Sequence, residues 1–368
     1  HATIRRQRQM CIRDSSTVLY LQVTAGTTVT IDNVSVKEVL GDRARLNYEI
    51  EGGLVNTKPS LLLEPSATNL LTFSEDFSQS VWGKSNVTLT SGFLSPDGTL
   101  NAFKFEATGT DGLCQNTFSA TSGTTYTLSV YLKTVSGTLN TNISLGSPAF
   151  PNTEGDGGRT KEIVVTNQWK RFSITSTADA SASTGIGIGG FSSFSTGEVV
   201  LAWGAQLETT GYSTSYIPTN GSTQTRAAET CNGAGTSSIL PSEEGILYCE
   251  IAALANDGTY RELGMSGGST LNRVLISYTN TSNQVRFQVK SSNSEQAAIF
   301  STASYNVTDF LKIAAKYKAN DFKLYINGAL IGTDTSGAAP IGLSEFSLDS
   351  GSGGDIFYGK IRDIRVYN

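Results

Sequence analysis

The sequence predicts an all-β protein made of tandem β-sandwiches, and three observations carry that prediction. The first is composition: of 368 residues, 38% are hydrophobic and 16% charged, Gly alone numbers 38, and Met only 2. That is enough apolar side chain for real cores. Thr, Val, Tyr and Phe suit pleated, half-buried surfaces, and Gly, Asn and Ser suit turns. The second is alternation. Across residues 125–133, Tyr126, Leu128, Val130 and Leu132 share one face, and Thr127, Ser129, Tyr131 and Lys133 the other, the period of a half-buried strand. The third is a turn. Residues 321–332 read as a strand, Asn327-Gly328 and a return strand. Asn-Gly supplies the positive φ angles of a type I′ hairpin at low cost. Length alone implies two or three domains.

Taken in order, the chain divides as follows. Residues 6–15 resemble the translated mosaic end of a transposon adaptor used in sequencing libraries, most specifically over Met10-Cys-Ile-Arg-Asp-Ser15. Residues 1–15 are therefore expected to be an assembly artefact and are set aside, and with them His1, the only histidine. Residues 28–39 read as one strand. They resemble the closing strand of jelly-roll carbohydrate-binding modules, which implies that 16–40 are the end of a truncated module in a longer protein. Residues 41–66 read as a connector punctuated by Gly52, Gly53, Pro59 and Pro65.

Residues 59–71 are similar to a segment that recurs in phage tail and appendage proteins just before a β-sandwich. There an aromatic-Ser-Glu-x-Phe stretch and a Trp follow; here they are Phe73-Ser-Glu-Asp-Phe77 and Trp82. Ser74 is expected to cap a single helical turn, with Glu75 and Asp76 favourably near its N-terminus. Residues 67–219 then read as one carbohydrate-binding-module-like sandwich. Residues 199–208 are apolar on both faces, which predicts a central strand. Residues 216–228 close the module, again as in the phage proteins. Residues 220–242, polar and rich in Gly, Ser and Thr, read as a linker or an extended surface strand.

Residues 243–368 form the last sandwich. Phe322, Leu324 and Ile326 share a face, as do Val285, Phe287 and Val289. In residues 358–368 strict alternation would split Ile361 from Ile364, which predicts a bulge near Arg362–Asp363. The hairpin, aromatic-x-Leu-Tyr-x-Asn-Gly, and the closing strand, Gly-x-Ile-x-x-aliphatic-x-aliphatic-Tyr, resemble those of the concanavalin A-like (laminin G-like) families. The resemblance implies the fold and does not name a ligand.

Chemistry is sparse. The net charge of -5 argues against a nucleic-acid partner, which needs a basic face. No apolar run reaches the ~18 residues of a membrane-spanning helix, and the start shows no signal-peptide pattern. Cys11, Cys114, Cys231 and Cys249 lack any CxxC spacing and read as inert thiols, although a Cys231–Cys249 bridge stays open. Without histidine there is no Ser-His-Asp or Cys-His catalysis. Glycoside hydrolysis needs only two carboxylates, and glucanases of the concanavalin A-like fold carry Glu-x-Asp-x-x-Glu on one strand. The nearest match, Glu154-Gly-Asp156, lies in a glycine-rich loop of the other module without a third acid, and reads as a solvated loop. Residues 185–190, Gly-Ile-Gly-Ile-Gly-Gly, are followed by no helix pattern and read as a flat strand or bend rather than a phosphate loop. For structural calcium the candidates are Asp257, in Asn256-Asp-Gly258, and Asp349 with Asp355. Asp257-Gly258 also reads as a plain turn.

Sugar binding calls for aromatic faces beside planar hydrogen-bonding groups. Arg273, Arg286 and Gln288 stand opposite the core-facing set of their strands. With Arg261 they are expected to form a polar, mildly basic sheet face bordered by Tyr260 and Tyr278; an ordinary solvated face is the plainer alternative. The resemblances imply a non-enzymatic phage appendage, a tail fibre or receptor-binding protein, trimeric, that touches host surface polysaccharide and other virion subunits. Binding modules of a secreted bacterial adhesin or polysaccharide-degrading enzyme, and a spacer without ligand, stay open as alternatives.

Overall fold

The computed structural model describes residues 44–48, 50–51, 54–55, 59–190, 193–302 and 305–368. The adaptor-like start and the strand expected at 28–39 lie outside the described residues. Every regular element among the described residues is a β-strand, and the strands build two sandwiches.

The first sandwich has two five-stranded antiparallel sheets. One runs Lys170–Thr177, Thr125–Thr134, Val199–Glu208, Ala102–Ala107, Val87–Phe93. The other runs Thr160–Val165, Leu139–Leu145, Ala182–Gly189, Leu113–Ala120, Trp82–Ser85. The strand predicted as central is central, and nine of its ten residues are buried. The glycine-rich stretch at 185–190 falls largely in the strand Ala182–Gly189. Phe77 and Trp82 anchor the core, with ring centroids 4.8 Å apart and Phe105 edge-on to Phe77 at 5.1 Å.

Two local expectations fail here. No helical turn follows Ser74. It is buried, and its hydroxyl accepts the Thr219 amide at 2.8 Å. Tying the two ends of the module together satisfies that hydroxyl better than a lone helical turn, which is unfavourable on its own. The strand Thr125–Thr134 is not half-buried either. Thr127 and Ser129 are as buried as Leu128 and Val130, because residues 210–217 cross their face. Thr127 donates to the Thr210 carbonyl at 2.7 Å, and Ser129 accepts Arg171 at 2.8 Å.

The second sandwich packs a seven-stranded sheet against a five-stranded one. The latter runs Ser294–Phe300, Val285–Ser291, Arg273–Tyr278, Arg261–Ser266, Glu345–Ser347. The former contains Gly359–Tyr367, Glu244–Ala253, Leu311–Lys318, Phe322–Ile326 and Ala329–Asp334. Phe287, Phe322, Leu324, Ile326 and Tyr317 are fully buried between the sheets. Asn327 and Gly328 both take positive φ, 49° and 86°, as a type I′ turn requires. The pairing of Glu250 with Asp363 and of Ile251 with Ile361 leaves Arg362 as the extra residue of a bulge, where alternation placed it.

The segment expected to connect modules extends this sheet. Ser60–Leu63 pairs antiparallel with residues 359–361, and Arg45–Asn47 pairs with Ser60–Leu63. Its Leu63 is fully buried in the second core. The expected linker at 220–242 begins with the strand Gln224–Arg226, paired with Ala67–Asn69 of the first sandwich. Where the two segments meet, a buried charge network forms. Arg45 ion-pairs with Glu64 and Glu229, Arg226 with Glu64 at 2.9 Å, and the Glu64 amide donates to Glu229 at 2.7 Å. The other Glu64 oxygen accepts the Ser215 amide of the first sandwich at 2.9 Å. Low dielectric makes such pairs strong when satisfied and costly when broken.

Candidate functional site

The outer side of the five-stranded sheet brings together three of the predicted residues. Pairing sets Arg286 opposite Ser277, Gln288 opposite Leu275 and Arg273 opposite Ser266 and Lys290. The centre of the group is Glu262, on the strand Arg261–Ser266, which no local sequence pattern marks because its partners stand on neighbouring strands. It is 2% exposed and accepts Arg286 at 2.7 Å and Ser277 at 2.9 Å, with Arg273 3.9 Å away. Arg273 also donates to Gln288 at 2.9 Å and to the Ser350 carbonyl at 2.8 Å. Burial lowers the Arg273 pKa, and the Glu262 carboxylate opposes that. The face is thus a paired, mostly buried network under residues 348–355 rather than an open basic surface. Tyr260 stands at its rim, half-buried, with the Arg286 guanidinium 5.8 Å from its ring centre.

Two predicted residues point the other way. Tyr278 is 2% exposed within the core and donates to the Ile251 carbonyl at 3.0 Å. Its strand alternates as expected, but the core face is the face that holds Tyr278. Arg261 shares that face at the sheet's end. It forms two 2.8 Å bonds to the two carboxylate oxygens of Asp257 and contacts the Tyr212 hydroxyl of the first sandwich. Arg261 is therefore a bridge between sandwiches. Asp257 spends both oxygens on it, which leaves it poorly placed as a calcium ligand. Asp349 is buried with its carboxylate on the Gly351 amide at 2.6 Å, and Asp355 is exposed. Among the described residues no cluster of three or more acidic, histidine or cysteine side chains could hold a metal. Asp156 bonds Lys161 and the Thr175 amide in its loop.

A cleft of about 490 Å³ lies where the sandwiches meet. Tyr131, Arg171 and residues 212–216 line it from the first sandwich, and Leu62, Ala253, Leu254, Thr308 and Lys360 from the second. Beside its floor, Trp203 packs 4.6 Å from Tyr216 and 5.4 Å from Tyr131, while the Arg171 guanidinium stands 5.5 Å over the Tyr131 ring. A bulge creates this cluster. The pairing of Thr125–Thr134 with Val199–Glu208 shifts between Ser129 and Tyr131, and Gly204 takes φ +65°. The extra residue turns Trp203 outward while Ala202 and Ala205 stay in the core. A side chain at 204 would also meet the Tyr131 and Tyr216 rings at 3.3 Å. The Trp203 indole NH and the Arg171 Nε are buried without a hydrogen-bond partner. Arg171 otherwise donates to the Thr214 carbonyl at 2.5 Å, and Thr214 donates its hydroxyl and amide to the buried Glu208, whose carboxyl is raised by burial. Burial pushes Tyr212 up to about 12 and raises Tyr216 further, so both stay protonated donors. No sequence signal pointed to this site, because the bulge and the module junction are tertiary features.

Residues 252–368 match the family described as the concanavalin A-like lectin/glucanases superfamily, of laminin G type. No curated protein matches the chain. Among solved structures, similarity is found to the CBM40 of the Ruminococcus gnavus IT-sialidase bound to α2,3-sialyllactose. It is 18% identical over 37% of this chain and 86% of that one, with a TM-score of 0.31. The CBM22-1–CBM22-2 tandem of Paenibacillus barcinonensis Xyn10C is 11% identical over 83% and 98%, with a TM-score of 0.30. Domains LG4-5 of the mouse laminin α1 chain are 11% identical over 83% and 90%, with a TM-score of 0.28. The fold is all-β, of tandem sandwiches, the last one concanavalin A-like.

Proposed function

We propose that this chain is a non-catalytic carbohydrate-binding part of a bacteriophage appendage, and that it contacts surface polysaccharide of the host. The observation that carries the binding role is the junction cleft. It combines tyrosine rings, unsatisfied NH groups beside its floor, and walls from two sandwiches, and ligand sites favour such interfaces. Sugars offer apolar faces to aromatic rings and hydroxyls to polar groups. The concanavalin A-like match over 252–368 supports a lectin-like role. The phage placement rests on the resemblance of residues 59–82 and 199–228, and gene neighbours coding for tail, baseplate or portal proteins test it.

A glycan array probed with the whole chain tests the binding role. Saturable binding to one glycan family is expected, weakened about tenfold by Tyr131→Ala, the equivalent of one ~1.4 kcal/mol contact. Loss with Tyr260→Ala and not with Tyr131→Ala would move the site to the rim of the five-stranded sheet. No binding by a folded sample would favour a spacer.

A further inference from the structure

A second cleft, of about 510 Å³, opens on the first sandwich between the turn at 75–78, the residues entering Ala102–Ala107, and 219–220. We propose that it is a saccharide site for an uncharged or amino sugar. The proposal does not depend on the junction cleft.

Two observations carry it. The first is an unmet hydrogen-bonding capacity. Thr219 is 6% exposed, and its hydroxyl has no partner although its amide is held by Ser74. The Asn101 carbonyl oxygen is likewise buried and unpaired. Its amide orientation is fixed, because its NH2 donates at 2.7 Å to Glu75, which only accepts when ionised. Buried polar groups are rarely left unpaired, and those lining a cleft are what a ligand hydroxyl would satisfy. The second is the sign of the walls. Glu75 and Asp76 both line the cleft. Glu75 is held by Asn101 and by the Tyr216 hydroxyl at 3.0 Å; Asp76 is held by Ser78 at 3.0 Å and Gln79 at 2.7 Å. These partners are neutral; the Lys84 ammonium, bonded to the Ser78 and Gln79 carbonyls, offsets part of the Asp76 charge, and two carboxylates against one ammonium leave the walls negative. Hydrogen bonds from Ser78 and Gln79 hold the Asp76 carboxyl below its usual range against the upward push of burial, so it is ionised at neutral pH. Acidic sugars are repelled, while hydroxyl and ammonium donors are welcomed. Leu100, 70% exposed, and Phe103 supply the apolar surface for a ring face.

The test is saturation-transfer NMR on the whole chain with glucose, galactose, mannose, glucosamine, galactosamine, glucuronic acid and galacturonic acid. At least one neutral or amino sugar is expected to bind saturably, ten times or more tighter than either acid. Thr219→Val removes only the unpaired hydroxyl. It should leave the melting temperature unchanged and weaken that binding at least fivefold. Glu75→Gln should narrow the discrimination against the acids. Acids binding as well as neutral sugars, no saturable binding by any sugar, or a Thr219→Val variant that binds normally would each overturn the proposal.

Discussion

At the scale of single residues, partners matter more than residue type. Asp257 and Arg261 look like a calcium ligand and a sugar-binding arginine, yet they satisfy each other. Burial alone would raise the Asp257 carboxyl, but Arg261 on both its oxygens and the Thr259 amide hold it below the usual range. A carboxyl depressed in the folded state stabilises the fold above its unfolded pKa and loses that contribution as pH falls through the folded value. Unfolding free energy measured from pH 6 to pH 2 should therefore fall, and Asp257→Asn should flatten part of the fall. An unchanged profile would contradict the pairing. Cysteines show the same dependence on surroundings. Burial pushes the Cys114 thiol up to about 12 and Cys249 further, while Cys231 is exposed. Of these three, only Cys231 should react quickly with a maleimide in the native state, as peptide mapping would reveal.

At the scale of elements, two bulges do different work. The one at Arg362 was legible because the apolar residues of a single strand fell out of step, and an out-of-step pattern is a local signal. The one at Gly204 left no such mark, because residues 199–208 are apolar on both sides and either register fits. Its consequence is the aromatic cluster. Gly204→Ala should cost about 1–2 kcal/mol, the penalty for a side chain in the left-handed region, and should also weaken glycan binding by displacing Tyr131 and Tyr216. Denaturant titration reads the first effect and the array the second. A variant of native stability and full binding would mean that the bulge does not shape the site.

At the scale of the whole molecule, the clasp of Arg45, Glu64, Arg226 and Glu229 decides whether two sandwiches behave as one body. Glu229 is fully buried, so Glu229→Gln leaves Arg45 and Arg226 to share Glu64 alone and should cost less than the about 3–5 kcal/mol of a buried charge left wholly unpaired, though still a measurable loss. In small-angle scattering the native chain should fit a single rigid arrangement of residues 59–368, and the variant a broader distribution. Equal profiles for the two would show that apolar packing alone fixes the junction. Because the binding cleft is walled by both sandwiches, loosening the clasp should also reduce glycan affinity.

Composition, alternation and turn chemistry determined the all-β class, the central strand, the Asn-Gly hairpin and the faces of Phe287 and Phe322, since each depends on neighbours within a few residues. The outward facing of Arg273, Arg286 and Gln288 was legible for the same reason, as a matter of strand period. That Glu262 and residues 348–355 close over them, that Arg45–Asn47 and Ser60–Leu63 join a sheet whose other strands begin at residue 244, and that a cleft opens at the junction were decided only by the tertiary structure. These contacts join residues from 15 to almost 300 positions apart, and nothing in a strand's own alternation encodes what will cover its outer face.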